Sequence, residues 1–99
     1  MSESVIKVHK TGYGYSIDSP VEVCGVMQSY NYIESLQYKE GKVISTCREG
    51  CECREDGKII DVYKVYVRKD GYNNMFEYTI YVDMYCYPQP YRAIEDFDI

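Results

Sequence analysis

Residues 76–86 read Phe76-Glu77-Tyr78-Thr79-Ile80-Tyr81-Val82-Asp83-Met84-Tyr85-Cys86. Phe76, Tyr78, Ile80, Val82, Met84 and Cys86 alternate with Glu77, Thr79, Tyr81, Asp83 and Tyr85, and a period of two over this length is the signature of a strand with one hidden and one wet face. Upstream, Ile59 to Arg68 is rich in the Ile, Val and Tyr that suit a pleated surface, and Lys69-Asp70-Gly71-Tyr72-Asn73-Asn74 supplies turn chemistry between the two runs. The pattern predicts a long antiparallel hairpin over 59–86. Its Phe76/Ile80/Met84 row should be hidden, and its Tyr81/Asp83/Tyr85 row should face solvent or a guest.

Working outward, Val5 to Lys10 alternates and Val21 to Val26 has strand-like composition, which predicts two short strands. Residues 28–38 fit two periods: Tyr30, Tyr32, Leu36 and Tyr38 suit a strand, whereas Tyr32, Ile33 and Leu36 suit one face of a helix. The helix is preferred, because Ser29 can accept a backbone N–H in the first turn and a strand would put Ile33 opposite Leu36. Val43 to Cys47 reads as a further short strand and Arg48 to Gly57 as a loop. Pro88 and Pro90 stop sheet pairing by removing backbone donors. The expected fold is α+β: a small antiparallel sheet of four to six strands with one short helix packed on one face. It forms a single domain over 1–99, in which the acidic tail 92–99 is loosely held, with Phe97 or Ile99 docked.

The chain has 99 residues, with 16 acids, 11 bases, five Cys, 13 Tyr and no Trp. At this size folding hides roughly 60–70% of the unfolded surface, enough for one core but not for a core plus a deep cofactor cleft. Gly12-Tyr13-Gly14 lacks the third glycine and following helix of a dinucleotide loop, so no cofactor is expected. No run approaches the roughly 18 apolar residues of a membrane span, and Met1 to Lys7 has no basic-then-apolar leader, which together point to a cytoplasmic protein without a membrane partner. Residues 51–99 carry six bases and ten acids and hold most of the net charge of −5. Such a field repels nucleic acid and favours a basic protein partner.

Thiolates in loops are common zinc ligands, which makes Cys47, Cys51 and Cys53 a candidate metal site with Cys24, Cys86 or His9 as a remote fourth donor. The spacing is a trio rather than two pairs, and the plainer reading has Cys24 and Cys86 as small core residues and the loop thiols free. An odd cysteine count would leave at least one thiol unpaired or bridging to another chain even if disulfides formed. The single histidine, His9, lies in an alternating strand without a local catalytic signature, and Asp61 and Asp83, which could face each other across the hairpin as paired carboxylates, read more plainly as the wet side of a sheet. Tyrosine is the distinctive residue. Tyr81 and Tyr85 beside Asp83, and Tyr87 and Tyr91 beside the prolines, form a candidate protein-binding face, since each ring offers much contact area with few torsions to freeze.

The order Gly12-x-Gly14-x-Ser16-x-x-x-Pro20, Tyr30-x-Tyr32-Ile33-x-x-Leu36, Asp61-x-Tyr63 and Tyr81-x-Asp83-x-Tyr85 resembles a family of short uncharacterised proteins of gut-type bacteria, over most of residues 12–85. Some members bear the name deoxyxylulose-phosphate synthase. Enzymes of that name are several times longer and need a Gly-Asp-Gly diphosphate motif ending in Asn, whereas Asp70-Gly71 here reads as a turn. The chain also has Arg48-Glu49-Gly50-Cys51 where the family tends to have a Gly-Ser pair. The resemblance implies a shared α+β fold and leaves activity open. The expected function is therefore a non-enzymatic protein-interaction module, of which an immunity or inhibitor protein is one form. Its binding residues would be Tyr81, Asp83, Tyr85, Tyr87 and Tyr91. The alternative is a small zinc-binding domain on Cys47, Cys51 and Cys53. A long edge strand would also allow a homodimer.

Overall fold

The computed structural model describes residues 5–99; the stretch read for a leader lies partly outside them. In chain order the elements are β1 Val5–Lys7, β2 Val21–Glu22, α1 Gly25–Ser35, β3 Gln37–Tyr38, β4 Gly41–Cys53, β5 Ile59–Lys69, β6 Met75–Asp83 and β7 Phe97–Asp98. The predicted hairpin is β5–β6, antiparallel with Tyr63 opposite Ile80 and Val65 opposite Tyr78. On its far side β5 pairs with β4, and the sheet runs β1-β6-β5-β4 with β2 also on β6. The sheet is mostly antiparallel; the two parallel pairings are the short ones of β1 and β2 with β6. The fold is a small α+β architecture with one helix on one sheet face.

The free edge of β6 is covered in pieces. Val8 N–H donates to Glu77 O at 2.9 Å and Tyr81 N–H to Gly14 O at 2.9 Å, before Val21 pairs with Val82. Gly14 suits this close approach: its φ is +84°, and a Cβ there would stand 2.6 Å from Ile94 Cγ2.

The inner sheet face carries Tyr63, Val65 and Val67 of β5 and Tyr78, Ile80 and Val82 of β6, all buried in one apolar cluster with Tyr32, Ile33 and Leu36 of α1 and its C-terminal flank. Full burial of side chains such as Ile80 or Val82 contributes about 1.5–3 kcal/mol each. The buried row of the alternating stretch is therefore the expected one, although Phe76 and Met84 at its ends are only half-buried.

Several local expectations differ from the structure. The helix begins at Gly25, not Ser29, so Val23 to Val26 is not a strand; Cys24 is its N-cap residue and Ser29 is buried inside it. The loop expected over 48–57 is strand as far as Cys53, held by β5. The tail is not loose. Tyr15, Tyr32 and Tyr78 bury their rings in the core, and each buried phenol needs a partner. The tail supplies all three: Glu95 O accepts from Tyr15, Arg92 O from Tyr32 at 2.7 Å, and an Asp96 carboxylate oxygen from Tyr78 at 2.8 Å. Phe97 is fully buried, 5.0 Å from the Tyr78 ring centroid and 5.5 Å from that of Tyr38, while β7 pairs with β3.

Candidate functional site

Beyond β6 the chain turns back along α1. Asp83 makes the turn: one carboxylate oxygen accepts the Tyr85 N–H at 3.0 Å, and the other faces Lys58 Nζ at 3.3 Å. Backbone bonds then fix the connector to the helix start, with Gly25 N–H donating to Met84 O at 2.7 Å and Cys86 N–H to Val23 O at 3.2 Å. At its other end Tyr91 packs edge-on against Tyr32, ring centroids 5.5 Å apart, and its hydroxyl donates to Gln28 O at 3.3 Å. Between these anchors lie Tyr87, Pro88, Gln89 and Pro90, all exposed. The prolines hold this span extended and give it no N–H at either position.

The result is a group of exposed large side chains on the connector and on the first turns of α1 beside it. Tyr87 is 90% exposed and Tyr85 68%, and in the first turns of α1 Met27 is 72% exposed, with Val26 and Tyr30 also open. The isolated bridge between Cys24 and Tyr85 brings the connector to the start of the helix. Val26 and Met27 were missed by the sequence reading. A helix start at Ser29 left them outside the helix, and Cys24, the N-cap residue, makes no side-chain cap hydrogen bond that would mark an earlier start.

Of the five expected binding residues, Tyr85 and Tyr87 are exposed, Tyr81 and Tyr91 half-buried, and Asp83 only 2% exposed. Asp83 therefore corrects the expectation of a wet acidic row. Burial works to raise its pKa, but the Tyr85 N–H, the Cys86 thiol and Lys58 outweigh burial and hold it below the usual carboxylate range. The other buried sheet acids also have a cation beside them. Asp61, on the inner face opposite Val82, lies 3.0 Å from Arg48, and Glu77 on the outer face lies 3.0 Å from Lys64. Asp61 and Asp83 are thus on opposite faces and both buried, not paired on a wet one. Burying a carboxylate is tolerable only with such a partner, so these acids serve the fold.

Tyr81 instead lines an outer-face cleft of about 430 Å³, formed where residues 8–14 bow away from β6, with Lys7, His9, Lys64, Glu49 and Glu52 also on its walls. His9 and two carboxylates do converge there, but no thiol lines the cleft and, among the described residues, no hydrogen bond orients the imidazole. Lys64 is already engaged by Glu77 and by Thr79 Oγ1 at 2.7 Å. A neighbouring polar cleft of about 330 Å³ is walled by Arg54, Lys58 and Arg92 against Asp18, Glu22 and Asp83. There the Arg92 guanidinium stacks 4.2 Å from the Tyr13 ring centroid.

The three candidate zinc ligands do not gather. Cys47 stands opposite Lys64 on the outer face, and Cys51 stands opposite Asp61 on the inner one, because a bulge between Arg48 and Gly50 shifts the alternation. Among the described residues no three of His, Cys, Asp and Glu form a group that could hold a metal ion. All five cysteines are free, Cys24 and Cys86 half-buried and the other three exposed. The Cys86 thiol is pushed up to about 11, chiefly by burial and then by Asp83 and Glu22.

No described helix is long and apolar enough to cross a membrane. No protein-family model, curated protein or solved structure matches the chain.

Proposed function

We propose that this chain is a non-enzymatic protein-interaction module whose working surface is the tyrosine connector after β6 together with the first turns of α1. The observation that carries the reading is the joint exposure of Tyr85 and Tyr87 on the connector and of Met27, Val26 and Tyr30 on the first turns of α1, to which the connector is hydrogen-bonded. Single exposed apolar residues are ordinary, whereas a concentration of them marks a place where another surface docks. Fixing both ends of the connector lowers the entropy lost on binding, and tyrosine and methionine suit such contacts. Asp83 and Tyr91 act by holding the connector in place, while Tyr85 and Tyr87 touch the partner.

The net charge of −5 favours a protein partner with a basic rim. An immunity or inhibitor protein that masks a basic active site is one form of this role. Five unpaired thiols, three of them exposed, fit the reducing conditions of a cytoplasm.

A photo-crosslinking residue placed at position 87, with position 70 in the β5–β6 turn as control, tests the reading in the native host. Capture of one discrete partner from position 87 and not from position 70 is expected. Equal labelling from both, or none from position 87, contradicts it.

A further inference from the structure

We propose that two copies of this chain associate through antiparallel pairing of β4 with β4, with Cys47 on the twofold axis. β4 is the outermost strand of its sheet, spans 13 residues, and has no buried residue on either face. Its far side presents unpaired backbone donors and acceptors, which another strand can use.

Charge decides the direction. Lys42 lies near the start of β4, and Glu49 and Glu52 towards its end. Parallel, in-register pairing would set Lys42 against Lys42 and Glu52 against Glu52, whereas antiparallel pairing sets Lys42 against Glu52.

The two bulges decide the register. They fall between Val43 and Ser45 and between Arg48 and Gly50, one on each side of Cys47, and each adds one residue to its half of the strand. Lys42 and Glu52 are therefore equally far from Cys47 along the chain. All three share the outer sheet face, standing opposite Arg68, Ile60 and Lys64 of β5 respectively. A twofold axis at Cys47 then places Lys42 of each copy directly opposite Glu52 of the other, on the same face. It also joins the two sheets into one. Directly opposed residues of an antiparallel pair have Cα atoms about 4.5–5.5 Å apart, inside the range a disulfide can bridge, so the Cys47 thiols of the two copies report on the register. This contact uses the sheet edge and not the tyrosine connector, so either can fail without the other.

Light scattering on the reduced full-length protein should show a dimer. Diamide, which removes two electrons and two protons from a pair of thiols, should yield a covalent dimer. Cys47→Ser should abolish it, and Cys51→Ser/Cys53→Ser should keep it. Lys42→Glu or Glu52→Lys alone should weaken dimerisation roughly tenfold by turning two attractive cross-strand pairs repulsive, and the double exchange should restore it. A monomeric mass at every concentration overturns the proposal, as does a covalent dimer that survives Cys47→Ser or a charge exchange without rescue.

Discussion

The hydroxyl oxygens of Ser29 and Tyr63 lie 2.9 Å apart in the buried interior and tie α1 to β5. Either hydroxyl alone would be a polar group stranded among apolar side chains. Ser29→Ala or Tyr63→Phe should each cost about 1–3 kcal/mol, and the pair together clearly less than the sum, because both orphaned groups are then gone. Denaturant unfolding of the four proteins measures this; strict additivity would contradict it.

Stability should fall in acid for a definable reason. Burial acts to raise the pKa of Asp83 and of Asp96, but their hydrogen bonds, with Lys58 on Asp83 and Lys10 on Asp96, hold both below 3.8. A depressed folded pKa stabilises the protein above the unfolded value, near 4, and that stabilisation drains away as pH falls through the folded value. Melting temperature should drop steadily below about pH 4, and Asp83→Asn should flatten part of that slope while costing about 1–2 kcal/mol at neutral pH. An unchanged slope in Asp83→Asn would count against the assignment.

The tail should behave as core. Phe97→Ala removes a fully buried ring that touches Tyr38 and Tyr78 and should cost about 3–5 kcal/mol in denaturant unfolding. A cost below about 1 kcal/mol, the range of surface substitutions, would show the tail to be dispensable.

Chelation should leave the melting curve where it is, because Cys47 and Cys51 point to opposite faces of β4. A chelator-induced drop, with zinc recovered from the untreated protein, would refute this.

The β5–β6 hairpin and its buried row were legible because strict alternation leaves one solution for which face is hidden. The burial of Asp83 and Asp61 was not, since it depends on Lys58 and Arg48, which approach from elsewhere in the chain. The tail was misread for a similar reason. Its sequence is acidic, and only the three-dimensional need of Tyr15, Tyr32 and Tyr78 for acceptors explains its docking. At the connector, Tyr85 and Tyr87 stood out by residue type, whereas Met27 and Val26 join them only because Gly25 starts the helix early.

The most direct test of the interaction reading is calorimetric titration of the partner captured at position 87 with wild-type protein and with Tyr85→Ala/Tyr87→Ala. Both side chains are solvent-exposed, so the variant should melt as the wild type does while losing at least about 2 kcal/mol of binding free energy. Equal affinity from an equally well-folded variant would contradict the account.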